Sequence, residues 1–510
     1  MIITLTLDPA RLWRWHVTLA EVLAAKPGVR VHVAYARESE PLPRGLMLAL
    51  QLERLIAGRR ELHAFDRVAP LDFIRWSQPT GQPDVIVDLA ARAPKGTART
   101  LTPLYDGTPG ETAYWNALLD RRAPALAIHD SGGGGFDAGL PAIERPHALR
   151  NSAAGIVTRL ITGLERAVHA TPGHLPAART FAASEFRLAD AATTLVASRL
   201  AGKAQRALND MLKSAPKWAV AWRQRPIPFD PLDTAPLDPA SFNRLPDDGR
   251  RYYADPFLFA QSDAIDVFVE ELPYATGRGH ISMFSLRPDG TASPPRPVLE
   301  AAHHLSYPQV FARDGEIWML PEASATGALT LYRAARYPDR WEPAARLIDE
   351  PLHDATLFEH NGRLWIAAAT QGPSNARWGS SWDSLSLYSA TRLLGPWTPH
   401  PKNPVLTDAR SARPAGDVFT AGGQLFRPAQ DCSTVYGGAL AIAHVTRLTA
   451  DDFAQTVVSK PAFAPKSGLL GPHTLNRLAA CGAVTEVIDL FATPALLAKT
   501  GAARQRNRTV

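Results

Sequence analysis

Acidic residues recur at fixed places in a repeating frame in the second half of this chain. Asp255 and Asp354 open two copies of the frame, and Glu270 and Glu322 close two, each eleven residues after a phenylalanine. Paired carboxylates are the groups that glycosyl chemistry uses: one acts as base or steadies positive charge, and another, kept protonated by its neighbours, donates to a leaving oxygen. Asp255, Glu322 and Asp354 form the candidate catalytic set. Glu270, His304, Arg413, Asp417, Gln430, Asp431 and His473 lie beside them in frame or in sequence and are candidate substrate-binding groups. For any single carboxylate the competing account is structural, because strand ends carry turn-forming Asp and polar residues. Trp318, Trp365, Trp378 and Trp382 could stack on sugar rings, although Trp318 and Trp365 alternate into strands and read as packing.

The elements that must position these groups are visible as a repeat. "DPFLFAQSDAIDVFVEE" from Asp255, "YPQVFARDGEIWMLPEA" from Tyr307, "DATLFEHNGRLWIAAAT" from Asp354 and "AGDVFTAGGQLFRPAQD" from Ala415 align without gaps, with Phe259, Phe311, Phe358 and Phe419 in fifth place. Asp-Gly, Asn-Gly or Gly-Gly follows in three of them, so each unit is a β-hairpin. A weaker fifth copy, "GPHTLNRLAACGAVTEV" from Gly471, puts Leu475 in the aromatic place. The fifth-place residue recurs after 52, 47, 61 and 56 residues, the length of a four-stranded propeller blade. Five blades are expected, a sandwich being the plainer alternative. In an antiparallel hairpin the start of one strand and the end of the next lie on the same side. If the first strand of each hairpin is innermost, the first places (Asp255, Tyr307, Asp354, Ala415) and last places (Glu270, Glu322, Ala369, Gln430) rim one mouth of a central channel.

The 510 residues, 45% hydrophobic and 20% charged, fit a two-domain globular protein. Residues 1–215 alternate strand-like runs ("MIITLTL", "VRVHVAYA", "PDVIVDLA", "APALAIHD") with helical stretches, the rhythm of an α/β domain with an open, mostly parallel, Rossmann-type sheet. Its alanine-rich end, 176–213, reads as a helix that either joins a bundle or lies on a membrane surface. Residues 216–495 read as all-β propeller after the proline-rich 226–242, and 496–510 as a disordered tail. Two cysteines exclude a disulfide framework and a thiolate metal site. His16, His32, His63 and His169 are dispersed, so no metal is expected. A net charge of +6 without basic clusters disfavours nucleic acid and suits a sugar nucleotide or a glycolipid. No secretory leader or spanning segment is evident, so a cytoplasmic protein with optional peripheral membrane contact is expected. "SGGGG" (131–135) lacks the Lys-Ser/Thr ending of a phosphate loop and reads as a flexible loop. The assembly state is not legible.

"HPKNPVLTDARSARPAGDVF" (400–419), "LFRPAQDCSTVYGGAL" (425–440), "YPQVFARDGEIWMLPEAS" (307–324), "YYADPFLF" and "GPHTLN" resemble the N-terminal region of glucosamine inositolphosphorylceramide transferases and their bacterial relatives, over about 215–495. That region is similar to the five-bladed propellers of arabinanase- and invertase-type glycosidases, in which a blade-one Asp and a later Glu do the chemistry. The resemblance implies those roles for Asp255 and Glu322, but places Glu322 one blade early. In the plant members a glycosyltransferase domain follows the propeller; none fits after residue 495, so direct glucosamine transfer is not carried over. Residues 101–149 more faintly resemble formyltransferases that use formyl-tetrahydrofolate, with Asp137 in "FDAG" matching the catalytic Asp. "KGTARTLTP" stands where that family has Asn-x-His, which implies a degenerate scaffold.

These readings give a carbohydrate-active protein of glycan or glycolipid assembly with a carboxylate-lined sugar site, as glycosyltransferase or glycoside hydrolase-like enzyme without a cofactor. A non-catalytic glycan-binding module is the first alternative, and formyl transfer to an amino sugar through Asp137, with formyl-tetrahydrofolate, the second.

Overall fold

In the computed structural model the chain divides into two compact units, Met1–Gln205 with Gln371–Ser380, and Arg206–Thr370 with Ser381–Val510. The structure describes residues 1–39, 42, 45–57, 63–77, 81–91, 98–146, 148–173, 217–233, 235–261, 264–372, 378–464, 467–480, 482–493 and 496. The expected helix over 176–213 and nearly all of the expected tail lie outside the described residues.

The N-terminal unit is an α/β layer of strands β1 (Ile2–Leu7), β2 (Arg30–Tyr35), β3 (Val85–Asp88), β4 (Arg99–Tyr105), β5 (Thr108–Pro109), β6 (Leu126–Asp130) and β7 (Gly135–Gly139). Helices α1 (Arg14–Ala24), α2 (Leu46–Ala57), α3 (Glu111–Leu119) and α4 (Leu149–Ala167) accompany them. In α4, Ile156, Val157, Leu160, Ile161 and Leu164 recur at helical spacing and are fully buried. The sheet order is β2-β1-β3-β4-β6-β7. β1 pairs in parallel with β2 and β3, and β3 with β4, but β4/β6 and β6/β7 are antiparallel. The sheet expected to be mostly parallel is therefore a mixed one. The glycine run is the reason at its far edge: Gly133 and Gly134 take φ of 108° and 77° and fold β6 straight back onto β7. "SGGGG", expected as a flexible loop, is thus a hairpin turn held by the Gly133 N–H on the Asp130 carbonyl at 3.0 Å.

The second unit is a five-bladed β-propeller. Blade one is β10 (Arg251–Ala260), β11 (Ile265–Pro273), β12 (His280–Leu286) and β13 (Arg296–Leu299). Blade two is β14 (Ser306–Arg313), β15 (Glu316–Glu322), β16 (Leu329–Arg336) and β17 (Arg340–Ile348). Blade three holds β18 (His353–His360), β19 (Arg363–Ala369) and β20 (Ser384–Ala390), with β21 (Thr398–Pro399) and β22 (Leu406–Thr407) both on β20. Blade four is β23 (Phe419–Ala421), β24 (Gln424–Asp431), β25 (Ala439–Leu448) and β26 (Phe453–Ser459). Blade five joins β27 (Leu475–Ala480) and β28 (Ala483–Ala492) to β8 (Lys217–Pro226) and β9 (Asn243–Arg244). The first strand to enter the propeller thus completes the last blade, pairing β28 from Ala483↔Pro226 to Ala492↔Lys217. A separate apolar cluster fills each seam between neighbouring blades, as Phe268 and Met319 do between blades one and two and Trp222 and Val267 between five and one.

The register corrects one expectation. Phe311 pairs with Trp318 in blade two, and the equivalent pair in blade five is Leu478↔Thr485, not one involving Leu475. The fifth copy therefore begins at Thr474 and ends its frame at Asp489. In three blades the frame opens on a β-bulge, between Ala254 and Phe257, Ser306 and Gln309, and His353 and Thr356. At these bulges Asp255, Tyr307 and Asp354 share a left-handed backbone with φ of 51°, 49° and 49°. Such a conformation costs a non-glycine residue about 1 kcal/mol or more and re-aims its side chain.

Candidate functional site

Where blades five and one meet, a histidine stands between two carboxylates. His473 Nε2 lies 3.1 Å from Asp255 Oδ1, and its Nδ1 lies 2.7 Å from Asp489 Oδ2. Thr474 donates to Asp255 Oδ1 at 2.9 Å, and the Tyr307 N–H reaches Asp255 Oδ2 at 3.3 Å. Asp489 also accepts the N–H groups of His473, Thr474 and Asp255. Burial by itself disfavours a charged imidazole, but the two carboxylates outweigh it and push His473 up to about 10. Among the described residues these three form the one acid and histidine group whose donor atoms lie within 4.8 Å of one another. Both ring nitrogens already face carboxylate oxygens, so His473 itself supplies the cation there.

The corner between blades two and three holds the second set. Glu322 Oε2 accepts the Asp354 N–H at 2.9 Å, while Oε1 faces His353 Nδ1 at 3.1 Å and Ser324 Oγ at 3.0 Å. Burial opposes its charge, but His353, Arg413 and the Asp354 carboxyl together hold Glu322 well below the usual carboxylate range. Asp354 is gripped by Arg413, with Nε on Oδ2 at 2.6 Å and Nη2 on Oδ1 at 3.2 Å, and Gln430 Nε2 adds a bond to Oδ2 at 2.7 Å. Burial first pushes Asp354 well above the usual carboxylate range against the pull of Arg413, and the charges of Glu322 and Asp255 add to the rise. Arg413 and Gln430 donate to its oxygens, and its carboxyl also meets that of Glu322, a pairing that favours the proton on Asp354 and the charge on Glu322.

On the blade-one side the setting is looser. Glu270 Oε1 receives the Tyr252 hydroxyl at 3.3 Å and His304 Nε2 at 3.2 Å. Burial, more than any neighbour, raises the Glu270 carboxyl, and Asp255 adds to this while His304 and His473 oppose it. The His304 side chain is 41% exposed and its Nδ1 accepts the Gly279 N–H at 3.0 Å. Glu270 raises the proton affinity of His304, and the Gly279 N–H, which needs a bare Nδ1, works against a second proton.

Aromatic rings border the same corners. Tyr436 stands 5.4 Å from Trp382, 5.5 Å from His473 and 6.4 Å from Trp218 between ring centres, and Arg413 lies 5.1 Å above its ring.

The candidates divide accordingly. Asp255, Glu270, Glu322, Asp354, His304, Arg413, Gln430 and His473 fall into these three connected corners. Asp417 is bound instead to Gln309 Nε2 at 2.7 Å and by its N–H to Asn476, and burial pushes its carboxyl up to about 6. Asp431 turns to Ser433 and Lys460, on the strand face opposite its neighbour Gln430, because adjacent residues of a strand point to opposite sides. Asp137 is exposed on β7 and accepts the nearby Gly139 N–H at 2.8 Å. Trp318 and Trp365 are packed in blade seams, and Trp378 packs against the N-terminal core. Asp489, His353, Trp218 and Tyr436 were missed. Reading the fifth turn through Gly482, whose φ is 76°, would have put Asp489 in the same frame place as Glu270 and Glu322.

Comparison with known proteins enters over the propeller. The protein "Glucosamine inositolphosphorylceramide transferase 1" of Oryza sativa subsp. japonica is 34% identical over 221 residues, 42% of this chain and 29% of that one. Its namesake in Arabidopsis thaliana is 33% identical over 220 residues, 42% of this chain and 28% of that one. The chain thus spans under a third of these plant relatives' length. Among solved structures, Zg3597, a family 117 glycoside hydrolase of Zobellia galactanivorans, aligns with 55% of this chain and 91% of its own at 11% identity and a TM-score of 0.34. The Cellvibrio cellulosa α-L-arabinanase complexed with arabinohexaose aligns with 41% and 78% at 15% identity and a TM-score of 0.30. The five blades rest on the strand pairing itself. None of these matches bears on formyl transfer. Residues 244–469 match the family model described as "Glucosamine inositolphosphorylceramide transferase 1, N-terminal", so the resemblance carried by the motifs is borne out over that part of the propeller.

Proposed function

We propose that this is a carbohydrate-active protein whose propeller mouth takes a glycan or the sugar head of a glycolipid. What supports the reading is the meeting of five carboxylates, Asp255, Glu270, Glu322, Asp354 and Asp489, with Trp218, Trp382 and Tyr436 beside them, together with the family match. Carboxylates bind sugar hydroxyls as acceptors, and aromatic rings cover the apolar face of a pyranose. Acids outnumber the firm cations Arg413 and His473 at the mouth even with Glu270 protonated, which suits a neutral or cationic sugar better than the pyrophosphate of a sugar nucleotide.

A binding module without catalysis is the second reading. It is favoured by the way Glu322 and Asp489 each accept a backbone N–H from the next blade, which uses these acids as ties. A glycan array with the full chain tests the common claim. Saturable binding that Trp382→Ala weakens about tenfold or more supports it; binding untouched by Trp382→Ala and Glu322→Gln alike rejects the mouth. Turnover of a bound glycan separates the two readings.

A further inference from the structure

We infer that Glu270, held under His304, is the proton donor of the mouth, in place of Glu322. The inference rests on the carbohydrate reading above. It begins with a count of carboxylate oxygens. Asp255 has Thr474 and His473 on Oδ1 and the Tyr307 N–H on Oδ2. Glu322 has His353 and Ser324 on Oε1 and the Asp354 N–H on Oε2. Asp354 has Arg413 on both oxygens, and Asp489 has backbone N–H groups on both. In Glu270 both contacts, Tyr252 and His304, fall on Oε1. Oε2 has no donor among the described residues. Each fixed donor leaves an oxygen fewer lone pairs for a proton, and of the ten oxygens of these five carboxyls Glu270 Oε2 is the one that takes no donor among the described residues; Asp354, which burial also raises, is held on both oxygens by Arg413.

The surroundings suit the role. No backbone N–H is fixed on the Glu270 carboxyl, so nothing there locks it as an anion. A Cβ on Gly279 would stand 3.0 Å from Glu270 Oε1, 2.7 Å from His304 Cε1 and 2.8 Å from the Leu305 carbonyl. Only glycine leaves room for the imidazole to lie against the acid. His304 keeps its exposed ring in the Nε2–H form through the Gly279 N–H on Nδ1, and so stabilises the Glu270 carboxylate once its proton has left. The charged or titratable groups facing this acid are His304 and Tyr252 in contact, and Asp255 and His473 at longer range, with Glu322 facing His304. Burial and Asp255 keep the proton on Glu270, and the two histidines limit that effect.

The step balances without a co-reactant beyond water or an acceptor hydroxyl. Glu270 gives its proton to the glycosidic oxygen, the C–O electron pair goes to that oxygen, and the ionised Glu322 carboxylate of the mouth steadies the positive anomeric carbon. The incoming oxygen bonds to that carbon and passes its own proton to the carboxylate of Glu270 or of a neighbour.

The test is a ¹³C-carboxyl titration of the full chain, with the Glu270 resonance identified by its loss in Glu270→Gln. Glu270 is expected to ionise last among the glutamates of the mouth, with a midpoint that moves when His304→Gln is introduced while that of Glu322 stays. Titration of Glu270 together with surface glutamates, or of Glu322 after Glu270, overturns the assignment. A second arm compares 2,4-dinitrophenyl and methyl pyranosides. Glu270→Gln is expected to slow the methyl glycosides about 10²- to 10⁴-fold and to spare the activated ones, which need no protonation. Equal loss on both classes counts against a proton donor. Wild-type chain inert on both classes, with the Glu270 titration as expected, removes the catalytic reading and keeps the assignment of the proton.

Discussion

His473 joins two carboxylates, and this ties alkaline stability to one imidazole. Its folded value of about 10 lies above the ordinary 6.5, so its contribution is whole below pH 6.5 and is lost as pH rises toward 10. Thermal midpoints of the wild type should fall across that window, and those of His473→Gln, lower at the start, should fall less. Equal slopes would contradict the ion pairing. Asp417 has the reverse sign. Its carboxyl, raised from 3.8 to about 6 by burial, is an acid whose neutral form the fold favours, so ionising it as pH rises through that interval withdraws stability. Asp417→Asn should raise the midpoint at pH 7.5 by the equivalent of about 1 kcal/mol or more, read by calorimetry. Glu322 is held low, so its contribution exists above its ordinary 4.5 and fades as pH falls. Glu322→Gln should cost about 1–3 kcal/mol at neutral pH through its weakened bond to the Asp354 N–H, with the loss shrinking in acid. At this scale the sequence pointed to the acids by their types and spacing. It could not reveal which of them would be spent on neighbours, because the partners Thr474, His353, Arg413 and Asp489 come from other blades.

At the scale of elements, turn chemistry made the hairpins of blades two to four legible: Asp314-Gly315, Asn361-Gly362 and Gly422-Gly423 all carry left-handed backbone. The fifth turn lacks such a pair, and the frame slipped by three residues, hiding Asp489. Ring closure was also out of reach. β8 pairs with β28 across more than 250 residues of chain, and local periodicity carries no trace of such a partner. The pairing matters to stability, since Val220 and Val487 are fully buried in the seam it creates with blade one. Val220→Asp should destabilise the propeller by more than 3 kcal/mol, seen as a large drop in the urea midpoint of the propeller tryptophans. A midpoint close to that of the wild type would mean that the ring does not depend on its closing strand.

At the scale of the molecule, the two-part layout was legible because the hydrophobic period changes from helical to strand-like near the proline-rich 226–242. The propeller half also carried long motifs that match a known family over 244–469. The N-terminal half offered only strand and helix alternation, which does not fix strand direction; the return of β6 onto β7 through three glycines was the part misread. The chain is basic in sum, at +6, while its proposed sugar mouth is acidic, so net charge was a poor guide to the ligand. The most direct measurement of the central claim is a crystal structure of the full chain with an oligosaccharide selected on a glycan array. The account predicts a sugar ring against Trp382 and Tyr436, with its glycosidic oxygen within hydrogen-bond reach of Glu270. A sugar seated away from the propeller mouth, or on the N-terminal unit, would contradict it.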